Sequence, residues 1–90
     1  MRREPDFFCD QELILIYVAK RLKEALAVEK AFDADALDYA VVPTPYTAGI
    51  LFRSQRVGAF FYVTPQFADH ARALMREHGF KPFEEARREN

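Results

Sequence analysis

The run Leu13-Ile14-Leu15-Ile16-Tyr17-Val18 is unbroken apolar and rich in branched side chains, which predicts a strand over 13–18, buried on at least one face and central in its sheet. From Ala19 the period changes. Leu22, Ala25, Leu26, Glu29 and Phe32 recur at helical spacing among Lys20, Arg21, Lys23, Glu24 and Lys30, predicting a helix with one apolar stripe that frays through 33–35 without a glycine to end it. A second strand is predicted over 37–42, stopped by Pro43-Thr44-Pro45, because proline has no N–H to give to a ladder. Residues 49–53 and 57–63 predict two more strands, joined as a hairpin through Ser54-Gln55-Arg56.

The clearest local signal follows. Thr64 is set as a helix N-cap with Pro65 at the first helical position, and Phe67, Ala71, Leu74, Met75 and His78 continue at helical spacing. With His78 as C-cap, Gly79 takes the left-handed position and Phe80 folds back onto Met75. Residues 80–83 predict a short edge strand, and 84–90 a charged tail. The order strand, helix, strand, strand, strand, helix, strand predicts an α+β fold. The arrangement expected is a two-layer ferredoxin-like sandwich, a mostly antiparallel sheet of four to five strands with two helices on one face. The chain reads as a single domain over 1–90, with an ordered core of about 12–83.

Alternation along 57–63 directs Val57, Ala59, Phe61 and Val63 to one face and Gly58, Phe60 and Tyr62 to the other. If Tyr17 shares the second face, the helix-free side carries Tyr17, Phe60 and Tyr62 together. Such a patch rarely stays bare on a monomer, so the first expectation is a homodimer through this face. Two other covers are the chain's own Phe7-Phe8 or Phe80 and Phe83, and a single-stranded RNA stacked on the three rings. Ile16-Tyr17-Val18 and Arg56-Val57-Gly58-Ala59-Phe60-Phe61 echo the two aromatic motifs of RNA recognition motif domains. The longer motif, however, wants glycine and then an aromatic directly after its basic residue, where Val57 and Gly58 stand.

Charge and composition narrow the classes. In 90 residues, 13 Lys and Arg meet 14 Asp and Glu, a net charge of -1 that disfavours binding to nucleic acid or anionic membranes by bulk electrostatics. The single cysteine, Cys9, makes no internal disulfide and falls short of a structural zinc set, which points to a reducing cytoplasm. No apolar run suits a signal peptide or a membrane span. A nucleophile would be Cys9, Ser54 or a threonine with a base beside it, and no such constellation stands in the sequence. A thiol enzyme or carrier using Cys9 is the second alternative to an interaction role. His70 reads as a solvated surface residue and His78 as a helix cap; no cofactor or metal set is called for. The stiff corner after the second strand, with Thr44, Tyr46, Thr47, Gly49 and Arg53, is the candidate site for a protein partner or a small anionic ligand.

Ala25-Leu26-Ala27-Val28-Glu29-Lys30-Ala31-Phe32, then Val42-Pro43-Thr44-Pro45 and Gly49-Ile50-Leu51-Phe52-Arg53, resemble the bacterial family described as selenium/sulfur carrier-like proteins, over residues 13–53. In that family a Pro-x-Pro-Arg corner leads to a Cys-Gly pair. Here Tyr46 replaces the arginine and Ala48 stands where the cysteine would be, so the resemblance implies fold and not a sulfur-carrying activity. Phe61-Tyr62-Val63-Thr64-Pro65 and the helix with Ala68, Ala71 and Ala73 are similar to small prokaryotic signal-transducing domains, which implies a ferredoxin-like plan and self-association. The expectation is therefore a small bacterial-type regulatory or interaction domain without catalysis.

Overall fold

The computed structural model describes residues 1–9, 11–48 and 54–83. Over these residues the chain is α+β, with four strands, β1 (Arg2–Arg3), β2 (Ile14–Ala19), β3 (Tyr39–Ala48) and β4 (Ser54–Val63), and two helices, α1 (Leu22–Ala34) and α2 (Ala68–Glu77). The sheet order is β1-β3-β4-β2. β1 runs parallel to β3, while β4 is antiparallel to both β3 and β2. Both helices lie on one face and share one core with it: Ala25, Val28 and Phe32 from α1, Ala71 and Met75 from α2, and Ile16, Tyr39, Phe61 and Val63 from the sheet. Three rings fasten α1 to the two inner strands. Phe32 meets Tyr39 at 5.2 Å and Phe61 at 6.1 Å edge-on, and Tyr39 stacks on Phe61 at 5.9 Å. All three are fully buried, and truncating a ring so placed costs about 3–5 kcal/mol.

The prolines do not end the second strand. β3 continues through Pro43 and Pro45 to Ala48, paired with β4 from Ala40↔Tyr62 to Ala48↔Ser54. Donor direction supplies the reason. The Tyr39 N–H donates to the Met1 carbonyl at 3.1 Å, toward β1, and in a strand every second residue points the same way. The nitrogens of Val41, Pro43 and Pro45 thus face the β1 side, where β1 pairs only with Tyr39 and Ala40. The missing donors fall on an edge that no described strand uses, so the ladder to β4 loses nothing.

Ser54-Gln55-Arg56 belongs to β4 and is not a hairpin loop; the strand expected over 49–53 lies outside the described residues. β2 carries an irregularity between Leu15 and Tyr17, with Ile14↔Val63, Leu15↔Tyr62 and then Tyr17↔Phe61. The extra residue, Ile16, is fully buried in the core. The shift turns Tyr17 to the helix side, against Phe61 at 6.4 Å and Phe80 at 5.7 Å. The condition under which Tyr17 shares a face with Phe60 and Tyr62 is therefore not met.

The helix ends follow their caps. α2 starts at Ala68, later than expected, because Pro65–Phe67 forms a separate 3-10 turn after Thr64. Its close is as expected: Gly79 at φ 84, the Phe80 N–H on the Met75 carbonyl and the Gly79 N–H on the Arg76 carbonyl. α1 ends in the same way without glycine. Leu37 N–H donates to Phe32 O and Ala36 N–H to Asp33 O, with Ala36 itself at φ 56. Residues 81–83 form no strand, but the Phe83 N–H donates to Ile16 O at 2.6 Å on the outer edge of β2.

β1 and β2 stand at opposite edges, and the described residues 4–9 lead from one toward the other. They cross on the side the helices leave open. Phe8, in the 3-10 turn Pro5–Phe8, is buried yet stands outside the helix-side core, as does Ala40, which alternation turns to the open face. Arg3 ties this crossing down, through Asp38 at 3.0 Å and over the Phe7 ring at 4.4 Å.

The left-handed Ala36 generates a test. Ala36→Gly relieves the Cβ penalty at that φ and is expected to raise unfolding stability by about 0.5–1 kcal/mol in urea titration. A loss of stability would contradict the assigned cap.

Candidate functional site

The β3–β4 pair is longer than the sheet that supports it. β2 meets β4 from Val63 down to Ala59, where it pairs with Ala19; below that point the backbone leaves the sheet through Lys20 and Arg21 and enters α1. The lower half of β3 and β4 therefore stands as a two-stranded arm, and its helix-side face carries Pro43, Pro45 and Val57. Between this face and the first turns of α1 lies an open cavity of about 210 Å³, lined by Ala19, Leu22, Ala25, Pro43, Val57 and Ala59 with Lys20 and Arg21 at its rim.

Helix α1 is rotated from the stripe the sequence suggests. Ala25, Val28, Ala31 and Phe32 face inward, while Leu22 is 75% exposed and Leu26 56% exposed. The periodicity admits two overlapping stripes, one through Leu22 and Leu26 and one through Ala25, Val28 and Phe32, and ring packing selects the second. Val57, 65% exposed and paired with Pro45, continues the uncovered apolar surface onto the arm. Leu22, Pro43 and Val57 line one cavity, with Pro45 paired to Val57 and Leu26 one turn along α1 from Leu22, and exposed apolar groups so gathered mark an interaction surface.

The exposed charge at the start of α1 is mostly basic. Lys20, Arg21 and Lys23 cluster at the start of α1 and Arg56 is exposed on the arm, while Asp33 and Asp35 stand at the far end of α1. This runs against the helix macrodipole, which favours acid at the N-terminus and base at the C-terminus. Glu24 is the one acid in the first turn. Burial, and then the nearby Glu24 carboxylate, raise the Tyr17 phenol above its ordinary value. Tyr39 shifts the same way, by burial and by its bond to Asp33 at 3.1 Å, so both phenols stay neutral wherever the protein works.

The corner expected to bind a partner is not a corner. Thr44 lies within β3, its Oγ1 donating to Val42 O at 3.2 Å. Tyr46 and Thr47 continue the same strand, and Gly49 and Arg53 lie outside the described residues. Of the expected stacking face, Phe60 and Tyr62 remain on the helix-free side, half-buried, and Tyr17 has left it. Leu15 and Val18 take its place there by register. The Cys9 thiol is exposed, with Sγ 4.0 Å from the Phe7 carbonyl oxygen. His70 bonds Asp35 and so ties the start of α2 to the end of α1, and His78 caps α2. Among the described residues no group of His, Cys, Asp or Glu is placed to hold a metal ion, and no helix is long and apolar enough to cross a membrane.

Comparison with protein-family models, with the curated proteins and with the solved structures finds no match. The groove therefore has to be interpreted from its own chemistry. Its lining is mostly apolar, with Lys20 and Arg21 the charged residues in it.

The rotation of α1 separates an outward Leu22 from an inward Val28. Leu22→Ala is expected to change unfolding stability by under about 0.5 kcal/mol, as an exposed substitution does. Val28→Ala, fully buried, is expected to cost about 2 kcal/mol or more in the same urea titration. Equal losses would return Leu22 to the core.

Proposed function

We propose that this chain is a protein-interaction domain that takes up an acidic, apolar segment of a partner protein in the groove between α1 and the β3–β4 arm. The observation that carries this reading is the exposure of Leu22 and Val57 at one cavity that Lys20 and Arg21 also line, with Leu26 and Lys23 exposed on the same helix and Arg56 on the opposite face of the arm. Folding alone would bury the leucines and would place acids, not bases, at the start of α1. A partner bearing both apolar and acidic side chains satisfies both anomalies at once, with the charges steering encounter and the apolar contact giving affinity.

The plan behind this reading is ferredoxin-like. β2, α1, β3, β4 and α2 follow the split β-α-β order, β2 and β3 being parallel with β4 between them. The segment bonded to Ile16 through Phe83 occupies the place of a last strand, and β1 is an addition at the opposite edge. Self-association through the helix-free face and base stacking on it lose support from Tyr17, and the crossing N-terminal segment occupies part of that face.

The test is a peptide selection. Random twelve-residue peptides displayed on phage are selected on the 90-residue protein and the recovered sequences are assayed against Leu22→Glu and Val57→Glu. Enrichment in acidic and apolar residues, with at least about tenfold weaker binding to either variant and weakening in high salt, is expected. Peptides that bind both variants as well as the parent, or that are displaced by a single-stranded RNA, would overturn the reading.

A further inference from the structure

The two edges of the β3–β4 arm are treated differently. On the outer edge of β3, Pro43 and Pro45 remove the two donors between Val41 and Thr47, which disfavours the pairing of another strand there. The outer edge of β4 has no such block. Since Ala40, Val42, Thr44 and Tyr46 bond toward β4, their partners Tyr62, Phe60, Gly58 and Arg56 bond toward β3. Phe61 and Ala59 point to β2 and are paired with it. Gln55 and Val57 point the same way, past the end of β2. Among the described residues no strand pairs with β4 on that side beyond Ala59.

Resting on the docking reading above, we infer that the partner segment binds as an added β-strand along residues 55–57 of β4, in line with β2, its backbone paired to Gln55 and Val57. The same edge borders the cavity. A strand laid there directs alternate side chains into the groove beside Leu22, Ala25 and Val57, where apolar groups fit. The intervening side chains fall on the face to which alternation turns Arg56, where carboxylates fit. The occupant is therefore an extended segment alternating acidic and apolar residues. A second copy of this chain is disfavoured at this edge, because pairing two β4 strands brings the Arg56, Arg21 and Lys20 of both copies together.

The probe is the peptide acetyl-Glu-Val-Glu-Val-Glu-Val-Glu-amide, titrated into the protein and followed by amide NMR and calorimetry. Binding is expected to shift the Gln55 and Val57 amides most. N-methylation of alternate peptide residues is expected to weaken binding at least tenfold in one register and under twofold in the other, since only every second peptide N–H faces β4. Val57→Pro repeats on β4 what Pro43 and Pro45 do on β3. It removes an N–H that β3 does not use, and is expected to weaken binding at least tenfold with the circular dichroism spectrum unchanged. The N-methylation series carries the test should that variant fail to fold. If every N-methylated peptide binds within twofold of the parent while Val57→Glu still abolishes binding, strand addition is wrong and the groove reading survives. If no binding occurs and selected peptides also ignore Leu22→Glu and Val57→Glu, both fall.

Discussion

The ladder between β3 and β4 runs on to Ala48↔Ser54, whereas β2 stops at Ala19↔Ala59, and this difference in length shapes the rest of the molecule. Above the Ala19 level the two inner strands are sandwiched by β2, the helices and the crossing N-terminal segment. Below it they stand as an arm with one face turned toward the start of α1. The upper half holds the core, where Phe32, Tyr39 and Phe61 bind α1 to both inner strands. The lower half holds the cavity and the exposed Val57, with Leu22 facing it from α1.

The arm persists because its hydrogen bonding is complete in the one direction that matters. Residues of β3 that face β4 keep their donors, and the two prolines occupy positions that face away. Placed one residue earlier or later, each proline would remove a ladder bond, a loss of about 0.5–1.5 kcal/mol each together with a register penalty. The same prolines stiffen the arm and remove two donors from its outer edge, which disfavours pairing there. What remains available is the β4 edge next to the groove, which gives the molecule one open template for pairing and a directional preference for what occupies it.

Much of this plan was legible in the sequence. The branched run ending in Val18, the turn of period at Ala19, the inward set Ala59, Phe61 and Val63, and the His78-Gly79-Phe80 close of α2 all appear where local pattern puts them. Three things escaped it, each decided by tertiary context. Proline was read as a stop because its missing donor is visible in sequence while the direction of that donor is not. The sequence leaves the face of Tyr17 open, and one inserted residue at Ile16 decides it by reversing everything on one side of the bulge. Leu22 and Leu26 were read as core because leucine at helical spacing usually is; the competing stripe through Ala25, Val28 and Phe32 was equally periodic, and only the aromatic partners on β3 and β4 decide between them. The one early sign of the groove was electrostatic: bases at the start of α1 and acids at its end, opposite to what the helix itself favours.

The account rests on alternate donors of β4 being unpaired below the end of β2, and amide hydrogen exchange of the free protein, followed residue by residue by NMR, tests that most directly. Gly58 and Arg56, bonded to β3, are expected to exchange at least about a hundredfold more slowly than Val57 and Gln55, which exchange close to the rate of an open chain. Equal protection at all four positions would mean that another part of the chain already pairs with this edge, and the docking site would not be there.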